Sequence, residues 1–200
     1  MAGGAVEEEA EEHEGISGRA SALAILGGDR DTRAMDVLLI RHAKALDKER
    51  PLDDAHRSLT ARGRRDALEV GRALADAGVK LDALVTSPLV RAVETAELVA
   101  VGLGFDEALE VAPELATGRH PQSVVEEVLL PRADLDAVAL VGHEPQLGAL
   151  LAALLHAPAP GLAKAAAVRL AWDGPEEPAR FKWVVRPGMG KPSKELDDVG

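Results

Sequence analysis

Three short apolar runs, at residues 37–40, 81–86 and 135–141, recur along this chain, and each is followed by a stretch with apolar residues at helical spacing. Runs of this length, rich in Val and Leu, have the character of strands buried on both faces of a sheet. The first is Val37-Leu38-Leu39-Ile40. Beyond a polar loop at 44–58, Ala67, Val70, Leu74 and Ala77 mark the buried face of a helix over about 60–77. Thr60 suits its N-cap, and Gly78 stands just past its end. After the second run, Ser87-Pro88 signals a helix start, with Ser as cap and Pro at the first helical position; Ala92, Val93, Ala96, Val99 and Ala100 form the stripe. Residues 105–111 accommodate a short strand, and Val124, Val125, Val128 and Leu129 mark a helix that stops at Pro131. The third run leads into a helix over 145–155. Residues 166–172 and 181–185 close the pattern as two strands around a Gly/Pro turn, with an antiparallel pairing expected. Strands alternating with helices predict one layered α/β domain with a mainly parallel sheet, over residues 35–188.

The flanks differ in kind. Residues 1–34 carry the run Glu7, Glu8, Glu9, Glu11, Glu12 and Glu14, and like charges that repel and bury nothing predict a disordered acidic tail. Residues 189–200 read as a polar C-terminal tail. Hydrophobic residues make up 46% of the chain, enough for a core, whereas aromatics are only 2%. That scarcity, together with a formal net charge of −11, argues against nucleic acid as a partner, which calls for stacking surfaces and a basic face. The chain has no cysteine, so disulfides, thiolate nucleophiles and cysteine-ligated metals are excluded. No apolar run reaches the roughly 18 residues that span a bilayer, and the first residues lack a basic region followed by an apolar one. A cytoplasmic protein with no membrane partner is the expectation; nothing in the sequence bears on oligomeric state.

In a sheet of this kind, ligands gather beyond the carboxyl ends of the strands. There the sequence is unusual. The first run ends in Arg41-His42, the second in Thr86-Ser87-Pro88 with Arg91 one turn into the next helix, and the third in Gly142-His143-Glu144-Pro145. If the three strands are parallel neighbours, two Arg and two His converge, with helix N-termini beside them. Such a cluster suits phosphoryl transfer without a metal. Arg offers a fixed fork of donors to phosphate oxygens, and helix N-termini add N–H groups and partial positive charge. A neutral imidazole is a competent nucleophile near pH 7, and cations around it lower its pKa and keep its lone pair available. Each piece alone has a plainer explanation as a turn, a cap or a solvated side chain. Their joint arrival at strand ends is what singles them out. Metal binding is the weaker alternative, since neither H-x-H nor H-E-x-x-H spacing occurs.

These residues resemble a known family. Leu39-Ile40-Arg41-His42-Ala43 is similar to the R-H-G signature of the histidine phosphatase superfamily, and Ser87-Pro88-Leu89-Val90-Arg91-Ala92 with Glu94-Thr95-Ala96 to its S-P-x-x-R-A-x-x-T-A segment. Val141-Gly142-His143 resembles its closing G-H motif, and Leu59-Thr60-Ala61-Arg62-Gly63 the L-T-x-x-G that opens its first helix. The likeness runs from about residue 36 to 185, with no room for a large cap insertion. It therefore points to the SixA-type phosphohistidine phosphatases, whose closing F-x-W strand is matched by Phe181-Lys182-Trp183. The resemblance implies a three-layer sandwich of the phosphoglycerate mutase-like kind. It also implies a phosphatase without cofactor or metal, with His42 as nucleophile and Arg41, Arg91 and His143 holding the phosphate. Its partner would be a phosphohistidine-bearing protein. Alternatives are a small phosphorylated metabolite or nucleotide as substrate, or a phosphate-binding protein without turnover. Two departures stand out. Ala43 replaces the signature Gly, which is expected to narrow the pocket by one methyl. The general acid is not marked by a motif of its own: Glu114, in Glu114-Leu-Ala-Thr-Gly118, has the E-x-x-x-G spacing of larger relatives and is the first candidate, with Glu94, Glu144 and Asp47 behind it.

Overall fold

A computed structural model describes Met1, residues 34–47 and residues 51–200, the side chains of 51–53 excepted. The acidic tail expected at 1–34 lies outside the described residues but for its two ends. Six strands build one sheet: β1 (Met35–Arg41), β2 (Ala83–Thr86), β3 (Glu110–Val111), β4 (Ala137–Gly142), β5 (Ala167–Trp172) and β6 (Arg180–Val185), in the order β3-β2-β4-β1-β5-β6. The first four strands of that order are parallel, β5 pairs antiparallel with β1 and β6 antiparallel with β5, so the sheet is mixed.

The period-2 geometry of β1 explains why its apolar run is continuous. Val37 and Leu39 enter the core on one face of the sheet, and Leu38 and Ile40 enter the core on the other. Helices α1 (Ala61–Asp76) and α2 (Val90–Leu103) cover the second face. Helix α3 (Pro121–Val124), with the turns that continue it, and α4 (Gln146–Leu155) cover the first. This is the three-layer α/β sandwich expected from the sequence. Thr60 caps α1 as expected, its hydroxyl oxygen accepting from the Gly63 N–H at 3.0 Å. α1 and α2 touch through two glycines. A Cβ on Gly71 would lie 2.5 Å from the Val99 carbonyl oxygen, and one on Gly102 would lie 2.6 Å from that of Leu68. Their small size is therefore what lets the two backbones approach.

Three local expectations are corrected. α2 begins at Val90 with Leu89 at the N-cap, not with Ser87 and Pro88. The Ser87 hydroxyl is drawn to His143 at 2.7 Å and lies at 3.4 Å from the Leu89 N–H, so the second strand end yields a site residue rather than a cap. The helix expected to stop at Pro131 starts at Pro121, widens into π-type turns over Val125–Leu129 and passes Pro131 as a 3-10 turn, Leu130–Arg132. There Pro131 stands at the start of the tighter turn, where no N–H is required. The polar segment 189–200 folds back on the domain: Ser193 pairs with Val184, and Val199 is fully buried. Three scattered apolar side chains in twelve residues, Met189, Leu196 and Val199, are too weak a pattern to announce that docking.

Candidate active site

The register of the sheet aligns the three strand ends. Arg41 stands opposite Gly142, and Thr86 opposite Val141. The pairing continues past the strands: the His42 N–H donates to the Gly142 carbonyl and the Ser87 N–H to that of Val141, both at 3.0 Å. His42, Ser87 and His143 therefore leave the sheet side by side. The two imidazoles lie with centroids 5.0 Å apart and planes tilted by 53°.

The hydrogen bonds assign the ring protons. His42 Nδ1 lies 2.8 Å from the Ala43 carbonyl oxygen, which can only accept. Nδ1 therefore carries the hydrogen, and Nε2 of the neutral ring holds the lone pair. Burial first, then the charges of Arg91, Arg41 and Lys164, push the His42 pKa down to about 4 against the opposing pull of that carbonyl. His143 falls further, to about 3, through burial and then the neighbouring His42, Arg91 and Arg41, with Asp54 acting the other way. Both rings are neutral near pH 7. His143 Nε2 meets Ser87 Oγ at 2.7 Å. With that hydroxyl donating to Nε2, Nδ1 becomes an N–H, and it has no partner among the described residues.

Arg91 is only 3% exposed, although it carries a charge. Asp54 anchors it: Nη1 donates to the Asp54 carbonyl at 2.7 Å, and Nη2 faces Oδ2 at 3.3 Å. Arg57 grips the other carboxylate oxygen at 2.8 Å. Sequence reading missed Asp54, which sits in the polar loop 37 residues before its partner; nothing in the pattern of that loop marks it. Arg41 is held by Nη1 donating to the Leu162 carbonyl at 2.7 Å. The Nε groups of Arg41 and Arg91 are buried donors with no partner among the described residues. Two guanidinium N–H groups and one imidazole N–H left unsatisfied within one cluster form a cradle of the kind an anion fills.

Thr95, buried in α2, ties the loop that follows His42 to that helix. Its hydroxyl donates to the Arg91 carbonyl at 2.6 Å and accepts from the Ala43 N–H at 3.1 Å. Ala43 itself corrects an expectation. It is fully buried in the core between the sheet and the α1–α2 layer, so its methyl points into packing and not into the pocket.

The candidate acids separate. Glu94 is spent on structure, accepting from the Leu59 N–H and from Arg64, both at 2.6 Å. Glu144 accepts from the Leu162 N–H at 2.9 Å and so fixes the loop that holds Arg41. Asp47 is exposed. Glu114 lies half-buried on the turn Pro113–Leu115 just beyond β3, at the same edge of the sheet. Its carbonyl accepts from Gln146 Nε2 at 2.6 Å, tying that turn to the start of α4. Its carboxylate makes no hydrogen bond or ion pair with the two Arg or two His among the described residues, so it stands near the cluster without belonging to it.

Known proteins resemble this chain in sequence and in fold. Residues 37–117 match the model of the histidine phosphatase superfamily (branch 1). A solved protein histidine phosphatase SixA, complexed with tungstate, superposes with a TM-score of 0.69 at 26% identity, over 76% of this chain and 97% of that one. An uncharacterised protein of Picosynechococcus is 33% identical over 129 residues, or 69% of its length. The mitochondrial serine/threonine-protein phosphatase Pgam5 of Drosophila willistoni is 41% identical over 75 residues, which are 38% of this chain and 25% of that protein, so the match spans a quarter of its length.

Proposed function

Because this chain belongs to the histidine phosphatase superfamily and is of the SixA type, we propose that it removes the phosphoryl group from phosphohistidine in a partner protein, through a phosphorylated His42. The observation that carries this reading is the fixed tautomer of His42, which leaves the Nε2 lone pair free inside a cradle of unpaired cationic donors.

The steps follow from the donors. A phosphoryl group enters against Arg41, Arg91 and the His143 N–H, which take its equatorial oxygens and the charge that gathers there in transfer. His42 Nε2 attacks phosphorus as the substrate's P–N bond breaks, and the Ala43 carbonyl stabilises the imidazolium that His42 becomes. The substrate imidazole, protonated on its other nitrogen, leaves as a neutral ring and needs no further acid. Water then attacks the phosphorus of phospho-His42, inorganic phosphate departs and the Nε2 lone pair returns. Charge neutralisation falls to Arg41 and Arg91, the task a divalent cation performs elsewhere, so turnover is expected without metal.

The second reading, a small phosphorylated metabolite or nucleotide, draws on Glu114, whose carboxyl group lies at the same edge of the sheet and in its protonated form would give its proton to the leaving alkoxide. A substrate panel in excess EDTA separates the two, comparing a phosphohistidine protein, sugar phosphates and p-nitrophenyl phosphate. Phosphohistidine should give the highest kcat/KM. Preference for a sugar phosphate would favour the second reading, and activity restored only by magnesium or zinc would contradict both.

A further inference from the structure

Beside the nucleophile lies a second feature that phosphoryl transfer does not use. Lys44, Arg62, Lys164 and Arg186 line an open cleft of about 490 Å³ that contains one carboxylate, Asp66. Four cations against one anion are notable in a chain whose formal net charge is −11. The cleft abuts the active site through backbone on two sides. Lys44 is two residues beyond His42. Lys164 lies on the loop whose Leu162 carbonyl holds Arg41 and whose Ala165 N–H points to the His42 carbonyl at 3.4 Å.

Three of the four cations are poorly matched among the described residues. Arg62 reaches Asp66 only at 3.6 Å and remains 73% exposed. Arg186 is the exception, donating to an oxygen of Gly200, the terminal residue. Lys44 and Lys164 are exposed and form no ion pair among the described residues.

We infer that this cleft is a docking site for carboxylates on the protein that carries the phosphorylated residue, so that an acidic segment flanking that residue is read together with it. The inference rests on the proposed function and adds to it a class of substrate. Cations on long, exposed stems, with Asp66 among them, suit carboxylates spread along a chain. A compact second phosphate would call for converging buried donors like those around His42. In a chain with a net charge of −11, a cationic patch beside His42 favours approach of an acidic segment on that side.

The test uses the double variant Lys44→Gln/Arg62→Gln, which leaves every residue of the transfer site in place. Binding of an unphosphorylated Asp/Glu-rich peptide is titrated alongside turnover of phosphohistidine peptides with acidic and with neutral flanks. For the acidic peptides, Kd and KM should rise about threefold to tenfold in the variant, as two exposed ion pairs allow. kcat, and all constants for the neutral peptide, should stay as in the wild type. Raising salt should erase the wild-type preference for acidic flanks. Equal KM for acidic and neutral flanks in the wild type, or equal Kd in wild type and variant, would overturn the docking site. So would pyrophosphate displacing the acidic peptide at far lower concentration than a second acidic peptide does. Failure of the proposed function has a different signature: neither phosphohistidine peptide is turned over, while the acidic peptide still binds in a salt- and Lys44/Arg62-dependent way.

Discussion

At the scale of single residues, what the sequence revealed and what it hid divide along a physical line. Arg41, His42, Arg91 and His143 were legible because each follows a strong apolar run, and parallel strands bring such ends together. Asp54 was hidden because its value lies in a contact across 37 residues, which a featureless polar loop does not encode. The direction of the Ala43 methyl was misjudged for a similar reason: side-chain direction in a loop depends on neighbours such as Thr95, far along the chain. Two outcomes belong at this scale. Arg91→Lys keeps the charge but loses the fork that spans both Asp54 and a phosphate. kcat/KM in steady-state assays should fall about 10- to 100-fold, the worth of one or two charge-assisted hydrogen bonds. Glu114→Gln should leave kcat on phosphohistidine nearly unchanged and lower it on alkyl phosphates by ~10²–10⁴-fold, the usual scale of a lost general acid. An equal, severe loss on phosphohistidine would show that Glu114 is structural or that the leaving imidazole does need a proton from the protein.

Among the elements, periodicity carried most of the pattern. β1, α1, β4 and α4 were legible to within a residue or two because long regular stretches leave little ambiguity. Their junctions were not, since Ser87-Pro88 has the local chemistry of a cap while its surroundings assign Ser87 to His143. The packing of α1 on α2 was also silent in the sequence, because Gly71 and Gly102 read as weak helix formers until the backbones are seen to touch. That contact makes a prediction against helix propensity. Gly102→Ala improves the intrinsic helix former yet places a methyl against backbone that cannot swing aside. Urea unfolding should show a loss of about 1–3 kcal/mol instead of a gain. A stabilised variant would mean that the two helices part at no cost.

For the whole molecule, the neighbouring imidazoles of His42 and His143 link stability to pH. Their folded pKa values, about 4 and about 3, lie below the 6.5 of the unfolded chain. Between these values the unfolded state binds more protons, so stability is complete above about pH 6.5 and declines as pH falls towards 4 and then 3. His42→Ala and His143→Ala should each flatten the dependence of the urea midpoint over that window. Residues 1–34, whose composition supplies no core, are expected to be dispensable, so a chain starting at Met35 should retain Tm and kcat. The proposed reaction turns on one covalent event at one nitrogen, His42 Nε2. The most direct test incubates the protein with radiolabelled phospho-substrate, quenches in alkali and maps the label. Base-stable, acid-labile phosphate on His42, absent from a folded His42→Ala variant, is the expected result. Label on Ser87, Thr86 or an aspartate, or turnover that survives His42→Ala, would contradict it.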